Sequence, residues 1–174
     1  MKNNNKPKKT LVYDNGFFRV YDEKNYIILE AVKGGAVVIP ITQGRKIVLS
    51  KTFRPRINQT LWELPRGFKE INETPEENAK RELSEEIQGD AVNYLDAGKG
   101  AVDTGIMDSI VDYIIAENAI YNPDECQKEE GILTACEFTL GEVYSMIRCG
   151  QIIDSFTIIG ITKAVAILGT GYFE

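Results

Sequence analysis

Three glutamates carry the first sign of chemistry. Glu82, Glu85 and Glu86 fall at i, i+3 and i+4 in a stretch that reads as a helix, so their carboxylates share one face. Like charges at that spacing repel by roughly 0.2–0.5 kcal/mol per pair. No cationic partner for them is evident in the pattern, and a divalent cation would turn the repulsion into attraction. Hard cations such as Mg²⁺ take oxygen ligands, usually one or two carboxylates completed by water and substrate phosphates. The alternative is a solvated acidic helix face.

The helix that must hold these residues is written clearly. Thr74 can be its N-cap, Pro75 suits its first position, and Glu77 completes a capping box with Thr74. Ala79, Leu83 and Ile87 give an apolar stripe at four-residue spacing. Gly89 is the expected left-handed cap at its end.

Composition narrows the chemistry. The chain has 174 residues, 43% hydrophobic and 26% charged, enough for one domain with a proper core. A net charge of −6 argues against binding nucleic acid through a basic surface. No run is long enough to span a membrane, and the polar, basic start Met1 to Lys9 has no apolar core of a signal peptide. The absence of histidine excludes histidine triads, imidazole metal sites and histidine bases. Cys126, Cys136 and Cys149 lack metal-ligand spacing and fit reduced thiols in a cytoplasmic protein.

Along the chain, Leu11–Tyr13 and Phe17–Tyr21 read as a hairpin about Asp14-Asn15-Gly16, followed by a strand over Tyr26–Val32. After Gly34-Gly35 come strands over Ala36–Ile39, Lys46–Phe53 and Leu61–Leu64. Strands are expected beyond the acidic helix at Val92–Ala97, Ile110–Ala116 and Ile132–Phe138, with loops over Gly98–Ser109 and Glu117–Glu130. Thr139–Arg148 carries a second capping box, Thr139 with Glu142, and Asp154–Leu168 is a strongly apolar helix. Mixed strands and helices around one core give an α/β or α+β protein. The expected division is a flexible basic tail over 1–10, N-terminal strands over 11–35, and the main domain over 36–174.

Gly67, Glu73, Arg81, Glu82, Leu83, Glu85 and Glu86 together follow the pattern Gly-x5-Glu-x7-Arg-Glu-apolar-x-Glu-Glu. This resembles the Nudix box of the Nudix hydrolases. The pattern departs after Glu86: the glycine expected at 88 is Gln88, and Gly89 follows one residue late. Phe53-Arg54-Pro55 and Leu61-Trp62-Glu63-Leu64-Pro65-Arg66-Gly67 are similar to segments of the ADP-ribose pyrophosphatase branch, with Arg66 in place of that branch's alanine. The proline those enzymes carry past the box is absent from Val102-Asp103-Thr104-Gly105.

The resemblance covers roughly Ala36 to Leu168 and implies a Nudix fold: an α/β/α sandwich with a mixed β-sheet, here with an N-terminal antiparallel extension. It implies a pyrophosphohydrolase dependent on Mg²⁺ (or Mn²⁺) that cleaves a nucleoside diphosphate derivative, ADP-ribose or a sugar nucleotide such as GDP-mannose or UDP-glucose. Competing readings are a non-catalytic nucleotide sensor and a triphosphate hydrolase. By the same resemblance Glu82 and Glu86 are the main metal ligands, with Glu85 as ligand or support and the backbone carbonyl of Arg66 facing the metal. Gly67, Glu73 and Arg81 are structural. Arg54, Arg56 and Glu63 are substrate-binding, with Arg54 the candidate for a phosphate contact. Glu129 or Glu130 is the general base, on a loop before the last strand. A homodimer built partly on residues 11–32 is also implied, with no nucleic-acid or membrane partner.

Overall fold

The computed structural model describes residues 9–174; the tail expected over 1–10 lies, up to residue 8, outside the described residues. Three strands, β1 (Thr10–Asp14), β2 (Phe18–Glu23) and β3 (Tyr26–Ala31), form a separate antiparallel sheet. The main sheet is seven-stranded and mixed. It contains β4 (Gly35–Ile41), β5 (Ile47–Arg54), β6 (Gln59–Glu63), β7 (Arg66–Phe68), β8 (Asn93–Gly100), β9 (Val111–Glu117) and β10 (Ile132–Phe138). Its order is β10-β5-β4-β9-β8, with β6 against β5 and β7 against β4. Among the described residues, the central β4–β9 pair is the one parallel pair of this sheet.

That pair lies between layers of helix, and its sequence shows why. Ala36–Ile39 and Tyr113–Ala116 are continuous runs buried on both faces. Val37, Ile39 and Ile41 face one core with α2 (Leu140–Arg148) and α3 (Ser155–Leu168). Ala36 and Val38 face the other, with Ala79, Leu83 and Ile87 of α1 (Pro75–Ile87). The period of two in the strand and of four in the helix thus meet as expected. Both capping boxes are formed, Thr74 with Glu77 and Thr139 with Glu142. Among the described residues, no helix is long and apolar enough to cross a membrane.

The sheet opens where the site lies. β4 and β5 pair at one register position, Ile41 with Ile47, and then take different partners, β7 and β6. β7 was not foreseen in the sequence. It can lie against β4 because residue 35 is glycine: a Cβ there would strike the Gly67 carbonyl oxygen. Other expectations need correction. β8 continues through Gly100, so the following loop starts at residue 101, not 98. The long loop before β10 ends in a short 3₁₀ turn, Lys128–Glu130. The left-handed residue closing α1 is Gln88, at φ 47°, not Gly89. Gly89 serves packing instead, since a Cβ there would come within 2.9 Å of the Ile120 carbonyl oxygen and of Leu83 Cγ.

The small sheet rests beside this opening. The Leu29 amide donates to the Ile106 carbonyl at 2.8 Å and the Asp108 amide to Leu29 at 2.9 Å. The Phe17 and Phe18 rings sit 5.9 and 5.3 Å from that of Phe68.

Candidate active site

α1 runs from the open end of the sheet and separates its three acids by environment. Glu82 and Glu86 are each 5% exposed, while the side chain of Glu85 is 48% exposed. Burial raises the Glu86 carboxyl from 4.5 to about 8, opposed by the Arg66 amide and reinforced by Glu82. Burial likewise raises Glu82 to about 7, against the pull of Arg81. The Arg66 amide donates to Glu86 Oε1 at 3.3 Å. Gly67 makes room for Glu82, because a Cβ on residue 67 would collide with that carboxylate.

The expectation that the acids lack a cationic partner does not hold. Arg81 Nη1 lies 2.7 Å from Glu82 Oε1 and 2.8 Å from Glu85 Oε2. Arg81 Nε donates to Glu73 Oε1 at 2.8 Å, and Nη2 donates to the Phe68 carbonyl at 2.8 Å. The helical period places residue 81 beside 85, but its reach back to Glu73 and Phe68 depends on the turn after β7. Hydrogen bonding to Arg81 holds the Glu73 carboxyl below its ordinary value. Asn78, at a position the box pattern leaves open, donates to the Phe68 carbonyl and to Glu82 Oε1, each at 3.3 Å. Among the described residues, its own buried Oδ1 has no partner.

The neighbouring wall is an ion network. Glu63, only 1% exposed, accepts two hydrogen bonds from Arg54 Nε, at 3.1 and 3.0 Å, and a further ion pair from Arg54 Nη2. It also accepts from Arg66 Nη1 at 3.0 Å. The same Nη1 reaches Asp154 Oδ2 at 3.0 Å, and Asp154 caps α3 by accepting from the Thr157 amide at 2.9 Å. The Arg66 guanidinium lies over the Phe156 ring, 4.6 Å from its centroid. Asp154 and Phe156 were not among the expected site residues, since nothing local in the sequence brings α3 to β6 and β7.

Two clefts of about 650 Å³ each meet at this wall and share Arg54, Arg66 and Glu130. The inner one contains Gly67, Phe68, Arg81, Glu82 and Glu85, with Phe18, Met107 and Phe156. The outer one contains Phe53, Arg56, Ile57, Glu63 and Ile153. Of the two candidate bases, Glu130 lines both clefts, and its charge contributes to the raised values of Glu82 and Glu86. Glu129 lines neither.

Among the described residues, no three acidic, cysteine or histidine side chains converge closely enough to hold a cation as they stand. Glu82 and Glu86 nevertheless fit one. They are oxygen donors held in a buried pocket where the charged form is costly, and Mg²⁺ needs only one or two carboxylates from the protein. Glu85, more exposed, is engaged with Arg81 through one carboxylate oxygen.

A family model for the Nudix domain matches residues 32–150. The chain is 28% identical over 125 residues to an ADP-ribose pyrophosphatase of Bacillus subtilis, covering 71% of this chain and 68% of that protein. It is 29% identical over 129 residues to a methanol dehydrogenase activator of Bacillus methanolicus, covering 74% and 70%. An ADP-ribose pyrophosphatase of Mycobacterium tuberculosis is 26% identical over 147 residues, covering 81% and 69%. The fold matches the crystal structure of an ADP compounds hydrolase at a TM-score of 0.72 and 15% identity, covering 92% of this chain and 94% of that one. The matched span takes in the box, the strands that frame it and the loop before β10, and on that ground the chain belongs to the Nudix family of hydrolases.

Proposed function

We propose that the protein is a metal-dependent pyrophosphohydrolase that cleaves the diphosphate linkage of ADP-ribose or a related nucleoside diphosphate sugar. The observation that carries this is the meeting of Glu82 and Glu85 with Arg54 and Glu130 along one cleft, with the buried Glu86 carboxylate behind it on the Arg66 amide. The similarity to two ADP-ribose pyrophosphatases supports the substrate class.

In this reading Glu82 and Glu86 hold Mg²⁺ or Mn²⁺, with Glu85 as an additional ligand. A cation bound there neutralises phosphate charge that would otherwise repel the attacking oxygen. Arg54, only partly engaged with solvent, offers its guanidinium edge to a phosphate at the junction of the clefts. Arg56, on the rim of the outer cleft, adds positive charge. Glu130 takes the proton of the water that adds to phosphorus, and the P–O bond to the leaving phosphate breaks, giving a nucleoside monophosphate and a sugar phosphate. Arg81 and Glu73 fasten the turn after β7 to α1 and so fix the level of Glu82.

The N-terminal strands suit a homodimer. Leu11, Val12, Tyr13, Phe17, Tyr26 and Ile27 are exposed on the small sheet, an apolar area that a second copy would cover. Light scattering at micromolar concentration is expected to give twice the chain mass; a monomer would contradict it.

A coupled release assay over a panel of nucleoside diphosphate derivatives tests the activity. Hydrolysis of ADP-ribose or a sugar nucleotide in Mg²⁺ is expected. Binding without turnover for the whole panel would favour the nucleotide-sensor reading instead.

A further inference from the structure

Arg66 stands where the similar branch of the family has alanine, and its side chain does something an alanine cannot. Glu63 is almost wholly buried and is held by two arginines at once, Arg54 from β5 and Arg66 from β7. A buried carboxylate left without a partner strongly destabilises the fold. With a single arginine, Glu63 would resist giving up its hydrogen bonds. With two, one arginine can turn away while the other keeps the carboxylate paired.

The two are unequal in freedom. The Arg54 side chain is 36% exposed and forms part of both cleft walls, whereas that of Arg66 is 20% exposed. The Arg66 guanidinium is also pinned from two other directions: by Asp154, which is itself tied to the cap of α3, and by the Phe156 ring beneath it. Arg54 is therefore the arginine that can move and Arg66 the one that stays.

We propose that Arg66 is a positioning residue that acts as the standing counter-ion of Glu63, so that Arg54 can transfer its guanidinium edge from Glu63 to a substrate phosphate without stranding a buried charge. This rests on the assignment of Arg54 to the phosphate made above. It predicts an unusual sign pattern. Removing Arg66 traps Arg54 on Glu63 and weakens substrate binding; removing the charge of Glu63 as well frees Arg54 again.

The test measures binding of the α,β-methylene analogue of ADP by calorimetry in Mg²⁺, together with KM and kcat for ADP-ribose, across R54A, R66A, E63Q and R66A/E63Q. R54A comes first and should weaken binding by about 10- to 100-fold, as expected for charge-assisted hydrogen bonds. If R54A binds like the parent, the phosphate assignment itself is wrong. Given a loss with R54A, R66A should raise Kd and KM by about 5- to 20-fold while leaving kcat within a few-fold. R66A/E63Q should return Kd to within about twofold of E63Q alone. R66K, which keeps a charge but lacks the planar fork that spans Glu63 and Asp154, should fall between the parent and R66A. A structural role alone would give a different result: R66A would lower kcat along with affinity, and E63Q would add to the damage. Unchanged Kd in R66A, or no rescue by E63Q, overturns the proposal.

Discussion

Replacing Glu86 by glutamine sets stability against function in a way that depends on pH. The substitution keeps the shape of the side chain and an oxygen that can accept from the Arg66 amide, but removes the ionisable group. In the folded protein burial raises this carboxyl from 4.5 to about 8. The folded state therefore holds the proton more tightly than the unfolded chain. Its stability is fully present below the unfolded value of 4.5 and is lost progressively as pH rises toward about 8. At 1.36 kcal/mol for each tenfold change, the ceiling on that loss is roughly 5 kcal/mol. Glu82 titrates in the same pocket and shares the effect, so about 2 kcal/mol is the expected difference, or about 4–8 °C in Tm for a chain of this size. Thermal melts of the parent and E86Q in EDTA should nearly coincide below pH 4.5 and separate by pH 8.5, with E86Q the more stable. Adding Mg²⁺ at pH 8.5 should raise the parent and leave E86Q nearly unmoved, because only the parent keeps both carboxylates. E86Q should also lose most of its turnover. An E86Q variant less stable than the parent in chelator at both pH values would refute this account of the buried carboxyl.

Two further outcomes are expected. E130Q should cut kcat by about 10²- to 10⁴-fold with little change in KM, the range for a general base, while E129Q stays near the parent; equal behaviour of the two in steady-state assays would remove Glu130 from the role. Q88G should raise Tm by about 1–4 °C, since relieving a non-glycine residue at φ 47° outweighs the added freedom of glycine by about 0.5–1 kcal/mol; a lower Tm would mean that the Gln88 side chain contributes something beyond its backbone conformation.

The parts of the molecule legible in the sequence are those set by short-range pattern. Thr74 with Glu77, Thr139 with Glu142, and the Ala79, Leu83, Ile87 stripe each depend on residues three or four apart, and each is found as read. The same holds for the fully buried strands, whose apolar runs admit little else. What escaped depends on distance in sequence. β7 has three residues and can lie against β4 because Gly35 lets the two backbones approach. Asp154 and Phe156 come to the site on a helix that begins almost ninety residues after Arg66, a separation of 88 for the Asp154 contact. Arg81 pairs with Glu73 as the resemblance implies, yet the same guanidinium also reaches Glu82 and Glu85, so the acids do not lack a cationic partner. The separation of Glu82 and Glu86 from Glu85 likewise follows from which side of α1 the sheet covers. Spacing alone makes the three equivalent.

The most direct test of the central claim is product analysis of ADP-ribose incubated with the purified protein in Mg²⁺ and, in parallel, in excess EDTA. AMP and ribose 5-phosphate should appear in equal amounts with the metal, and neither should form in the chelator. Undiminished turnover in EDTA would contradict the role given to Glu82 and Glu86, and intact substrate in both Mg²⁺ and Mn²⁺ would contradict the assignment of ADP-ribose.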